Sequence, residues 1–348
     1  MSDPSAESEF PETVRRTEPE LAPMQIFKHG LFFAITFATT LIAGMLWQME
    51  RDLMNIAVGL PYSLSLLFIL SCHEFGHYFA ARYHRVRVTL PYYIPIPPLS
   101  GVDFGTLGAV IRTKEPIPNR KALFDIGIAG PIAGFIASII VLMIGFLSLP
   151  GKEFILSMHP DFDFAINTVP GLQQGGTLVF GAPLLYQWMQ NLFSVPGAWI
   201  PPMWEMYHYP YLITGWFGLL ITALNLLPAG QLDGGHVLYA LIGRKHAFVA
   251  RMTIAVLLIL GLMAVFPYFL GYIGSLELAV SIVESFENFW SLFWPGWLMW
   301  VLILLFVIKV DHPQIEQYEE LGVGRFALGI FAGVMFLVCI VPAPIFFQ

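Results

Sequence analysis

Residues 56–82 read IAVGLPYSLSLLFILSCHEFGHYFAAR, an apolar run that carries two imidazoles and a carboxylate near its far end. About 20 apolar residues in a helix suffice to cross the hydrocarbon core of a bilayer, so the run is long enough to span. Three ionisable side chains within five residues of such a span cost several kcal/mol unless they serve a site. His73 and His77 stand four residues apart, on one helical face, so their rings converge on one ion. Glu74 falls beside the coordination position left open. There a carboxylate takes a proton from a water whose pKa a zinc ion lowers from 15.7 to about 7, and later passes it to a leaving amine.

The rest of the chain agrees with a lipid environment. It is 57% hydrophobic and 12% charged, with a mean hydropathy of +0.69, against a charged fraction of about 25% in soluble domains. Cys72 and Cys339 both lie in apolar runs, so the two cysteines define no disulfide framework. Nothing in the composition points to nucleic acid. Part of the net charge of −7 comes from an acidic, proline-containing beginning, and residues 1–28 read as a disordered cytoplasmic tail.

Spans are expected at about 30–48, 56–82, 122–149, 211–228, 252–273, 292–308 and 326–347. With the N-terminus inside, only Arg51 and Lys152 of the 17 Lys and Arg fall in outer segments, and a miscounted span in the middle would scramble that asymmetry. The fold class expected is therefore an all-α polytopic membrane protein of about seven transmembrane helices, with residues 29–348 forming one membrane-embedded domain. An integral multi-pass protein of a prokaryotic inner membrane, N-terminus cytoplasmic, fits this charge distribution. Residues 86–112 break the pattern. They are apolar but hold Pro91, Pro95, Pro97 and Pro98, and each proline in a helix interior costs about 3 kcal/mol. A re-entrant, β-like loop after the second span is expected there, with a strand over the Gly- and β-former-rich residues 104–112. The outer loop at 150–210 shows no run of alternating strands. In the third span Gly127, Gly130 and Gly134 share a face, read as scaffold that lets backbones approach closely.

Catalytic zinc generally takes three protein ligands, so a third must be found. A third histidine six residues beyond His77 would fall at Tyr83, and His84 lies one position late. Counted back from Arg82 at 1.5 Å per residue, the two histidines lie about 8 to 14 Å below the inner surface. The fourth span runs from outside to inside and ends in Asn225-Leu-Leu-Pro-Ala-Gly-Gln-Leu-Asp233-Gly-Gly-His236. It delivers Asp233 to the same side as His73 and His77. Pro228, Gly230, Gly234 and Gly235 are expected to break this helix, as in helices that line ion or substrate sites. His236 reads equally well as a partner orienting Asp233 or as a polar loop residue. His29, His159, His208, His246 and His312 are explained by interfacial placement.

His73-Glu-x-x-His77 on one span, with Asn225-x-x-Pro228-x-x-x-Leu232-Asp233-Gly234-Gly235 on a later one, resembles the site-2 protease family of intramembrane zinc metalloproteases. The resemblance covers about residues 56–245, without the PDZ or nucleotide-binding CBS domain of some members. It implies that His73, His77 and Asp233 hold Zn²⁺ and that Glu74 is the catalytic acid and base. It implies also that Asn225 positions substrate or stabilises a developing oxyanion, and that residues 105–112 form an edge for an unwound substrate strand. The implied substrate is a transmembrane protein, cut within the bilayer in regulated intramembrane proteolysis. The rival class is a membrane metal-ion transporter, because intramembrane His and Asp also mark ion pathways. A transporter would need such residues along a continuous path, and the spans after Asp233 offer almost none.

Overall fold

The structure, a computed structural model, describes residues 23–99, 104–169, 177–195, 198–273, 292–310 and 319–347, with single positions among 274–291 and 311–318. The tail expected at 1–28 therefore lies mostly outside the described residues. Its last six positions belong to the first helix, α1 (Pro23–Trp47). A 3₁₀ segment, Leu53–Gly59, leads into α2 (Leu60–Tyr83), where Pro61 occupies the first turn and loses no intrahelical bond by lacking an N–H. The segment at 86–112 is a hairpin of β1 (Tyr92–Pro95) and β2 (Thr106–Val110), antiparallel and shifted in register between Tyr93 and Pro95. Pro95, Pro97 and Pro98 stand at the end of β1, where a missing backbone donor costs the ladder least.

Asn119 caps α3 (Arg120–Leu147) through its side-chain oxygen, which accepts from the Ala122 N–H at 2.8 Å. Then follow α4 (Lys152–Met158), β3 (Leu178–Phe180), α5 (Leu184–Phe193), α6 (Pro210–Asn225), α7 (Asp233–Ile242) and α8 (His246–Ile273). The chain ends with α9 (Gly296–Leu302), which continues as a π-helix over Ile303–Ile308, α10 (Gly322–Cys339) and β4 (Ile345–Phe347). Among the described residues, five stretches are long and apolar enough to cross a membrane: Pro23–Trp47, Leu53–Tyr83, Arg120–Leu147, Asp233–Leu270 and Gly322–Cys339. Pro210–Asn225 and Gly296–Ile308 are shorter apolar helices.

Two boundaries differ from expectation. The last span is expected to run to residue 347, but the helix stops at Cys339 and β4 pairs antiparallel with β3. Pro342 and Pro344 forbid the helix, and the apolar residues beyond them complete a strand pair instead. The fourth span breaks at Asn225, and the chain is helical again from Asp233, so Gly234 and Gly235 begin a helix and do not end one.

The centre is built by α2, α3 and α6, with α7 against α3. Buried hydroxyls tie helices where no water competes: Ser65 Oγ of α2 meets Thr214 Oγ1 of α6 at 2.8 Å, and Thr40 Oγ1 of α1 meets Ser63 Oγ of α2 at 2.6 Å. Leu64, Phe68, Ile136, Ile140 and Ile144 point outward, as lipid-facing residues do. Arg325 of α10 grips Asp125 of α3 in a fork, with both N···O distances 2.7 Å, and His84 reaches the same carboxylate at 2.7 Å. These groups are less than one-third exposed, so the fork retains most of its strength. Asp125→Asn keeps the shape and removes the charge that Arg325 and His84 share as a partner. It is expected to destabilise the fold by about 1–3 kcal/mol, read as an earlier thermal unfolding transition in detergent.

Candidate metal centre

His73 and His77 project from α2 toward α3, and the glycine face of α3 is what admits them. A Cβ at Gly130 would fall inside the His77 ring, and one at Gly134 would stand 3.1 Å from His73 Nδ1. From the other side Gly76 faces the Ala129 carbonyl, 2.6 Å from where its Cβ would be. The stripe is thus the seat of the imidazoles as well as a close helix contact. His77 Nδ1 bonds to the Ile126 carbonyl at 2.7 Å, and because a carbonyl only accepts, that nitrogen carries the proton. In the neutral ring of that tautomer Nε2 presents its lone pair to the cluster.

Asp233 arrives by a tight return after α6. Gly234 and Gly235 run so close to the preceding turn that a Cβ on either would strike the carbonyls of Leu226 or Gly230. No other residue fits there. Arg120 of α3 fixes the other end of α7, donating to the Ala240 carbonyl and, at 2.9 Å, to that of Leu241. With both ends of the helix held, Asp233 Oδ2 stands 3.4 Å from His73 Nε2 and 3.3 Å from His77 Nε2, and the two nitrogens lie 3.1 Å apart. A tetrahedral ion with ligand distances of about 2.0–2.1 Å needs donors about 3.3–3.4 Å apart. The three atoms satisfy that requirement, and the set of two imidazoles and one carboxylate suits zinc.

Glu74 is 6% exposed. Tyr93 of β1 reaches back to α2, its hydroxyl 2.6 Å from Ser71 Oγ. The hairpin is therefore laid over the helix that carries Glu74. Asn225, the last residue of α6, places its amide nitrogen 3.2 Å from His73 Nε2. All five residues singled out in the sequence meet at one place.

Residues 61–266 match the family model described as Peptidase family M50. The chain belongs to that family. The matched M50 segment contains every residue of the cluster. Among curated relatives, the probable zinc metalloprotease EGY1, chloroplastic, of Oryza sativa subsp. japonica is 33% identical over 216 residues, 62% of this chain and 34% of the relative. The probable zinc metalloprotease EGY2, chloroplastic, of Arabidopsis thaliana is 27% identical over 262 residues, 72% of this chain and 42% of the relative. This M50 chain thus spans between a third and a half of the length of these two relatives. These relatives are described as chloroplastic, a compartment other than the prokaryotic membrane expected from the charge distribution. No solved structure matches.

Some histidines are placed otherwise than the sequence suggested. His236 pairs with His312, Nδ1 to Nε2 at 2.7 Å, and its Cβ lies against Gly127. His29 is buried, with Nδ1 3.0 Å from the Pro91 carbonyl, and so pins α1 to the hairpin. His159 and His208, read as interfacial, come together with Glu205. The signal overlooked was Glu205-x-x-His208: at three residues per turn, positions i and i+3 of a 3₁₀ turn eclipse one another, and Met206–His208 is such a turn.

Proposed function

We propose that this chain is an intramembrane zinc metalloprotease that hydrolyses peptide bonds of transmembrane protein substrates, with His73, His77 and Asp233 as ligands of Zn²⁺. The observation that carries the reading is the meeting of three donor atoms at tetrahedral spacing beside a buried glutamate. Bound zinc supplies Lewis acidity, which polarises a peptide carbonyl and makes a water acidic near neutral pH. Glu74 accepts the proton of the attacking water and delivers it to the leaving amine. Asn225 offers an amide N–H to the oxygen on which negative charge develops.

The hairpin supports the choice of substrate. In the two-stranded sheet β2 pairs with β1 on one side, and an unwound stretch of a substrate helix docks by pairing with its other edge. A helical peptide bond is shielded, so unwinding precedes the cut, as regulated intramembrane proteolysis requires. The two shorter apolar helices complete seven spans with the long ones, residues 86–112 then form a re-entrant hairpin, and the cation asymmetry supports a cytoplasmic N-terminus in a prokaryotic inner membrane.

The test is cleavage of a single-span peptide by the purified chain in proteoliposomes, with products identified by mass. Cleavage is expected to stop with a zinc chelator and to return when Zn²⁺ is restored. Zinc flux across the liposome wall without cleavage would establish the transporter reading and sink this one.

A further inference from the structure

The end of α6 away from Asn225 carries a second convergence of metal-ligating atoms. Sixteen residues of α6 separate the two places, about 24 Å at 1.5 Å per residue. His159 Nε2 lies 3.1 Å from His208 Nε2 and 3.4 Å from Glu205 Oε2, and His208 Nε2 lies 3.5 Å from the same oxygen. The spacing nearly repeats that of His73, His77 and Asp233, and so does the donor set of two imidazoles and one carboxylate. Among the described residues these are the two clusters of that kind.

Two further features distinguish it from a chance polar contact. Glu205 is 5% exposed and His208 fully buried, while Glu205 Oε2 has no hydrogen-bond partner. A buried carboxylate oxygen without a donor costs free energy that a cation would remove. His208 Nδ1 stands 2.7 Å from the Trp47 carbonyl, so that nitrogen holds the proton and Nε2 presents its lone pair, the arrangement His77 shows with Ile126.

We propose that His159, Glu205 and His208 form a second divalent metal site that takes Zn²⁺. Three protein donors leave the fourth corner of a tetrahedron to water, on the side where His159 is partly exposed. The ion joins three parts of the chain that α6 alone does not connect. His159 ends α4, Glu205 and His208 lead into α6, and His208 is bonded to the last residue of α1. Its role is a cross-link that closes this end of the bundle, separate from the hydrolytic centre.

The test is a count of Zn²⁺ bound to the full chain in detergent micelles, equilibrated with micromolar Zn²⁺, gel-filtered and analysed by mass spectrometry. Two ions per chain are expected. The His73→Ala, His77→Ala double variant should keep one, Glu205→Gln alone should fall from two to one, and the three substitutions together should bind none. His159→Asn alters only the partly exposed ligand and should also lose one ion, which guards against misfolding caused by the buried Glu205→Gln change. One ion in the parent chain, kept in Glu205→Gln and in His159→Asn, overturns the proposal.

Discussion

Glu74→Gln is expected to lower turnover of a transmembrane substrate by about 10²- to 10⁴-fold, the usual consequence of losing a positioned general acid or base. Metal content should stay at the parent value. Glutamine has the shape of glutamate and fills the same space. It has no basic oxygen to take a proton from water. The three ligand side chains are untouched, and a neutral amide in place of a buried carboxylate lowers the desolvation cost, so the fold should lose nothing. An effect confined to the transition state lowers kcat and kcat/KM together. Steady-state rates on a single-span peptide, measured beside metal analysis, check the expectation. Retained turnover removes Glu74 from its role, and loss of the ion shows that its carboxylate serves the metal site instead.

The residues of this site were legible because each signal is local and costly to maintain in lipid. Two histidines at i and i+4 need only a helix to converge, and a carboxylate among apolar residues needs a reason to be there. Asp233 was found because topology alone carried it to the depth of the histidines. What Gly130 and Gly134 face was not legible. A glycine stripe announces that something approaches closely, but not that the visitor is an imidazole ring and not a backbone. The cluster of His159, Glu205 and His208 was hidden for a different reason: His159 stands far along the chain from its partners, in a loop with no periodicity to fix its direction. The end of the chain failed on length. Ile345–Phe347 is too short for hydropathy to distinguish a strand from the last turn of a helix, and its partner Leu178–Phe180 lies more than 160 residues upstream, as the pairing of Ile345 with Phe180 shows.

Gly130→Ala is expected to strip the metal centre without touching any ligand. The added methyl would occupy space already filled by the His77 ring, which cannot retreat because Nδ1 is bonded to the Ile126 carbonyl on the same helix as Gly130. The ring must therefore turn, and its Nε2 leaves the triangle made with His73 and Asp233. Removing a group that merely orients a metal-bound histidine lowers affinity by about 10- to 100-fold, and displacing the ligand itself should cost at least as much. Overpacking a close helix contact adds about 1–3 kcal/mol of destabilisation. Activity should be lost together with the ion, whereas Glu74→Gln loses activity and keeps it, so the pair of variants separates construction of the site from use of it. Gly333→Ala supplies the comparison: a Cβ there meets nothing within 4 Å on an exposed face of α10, and zinc binding should not change. If Gly130→Ala binds zinc as the parent does, the His77 ring has room that this geometry denies it, and the account of why α3 carries glycine at that position is wrong.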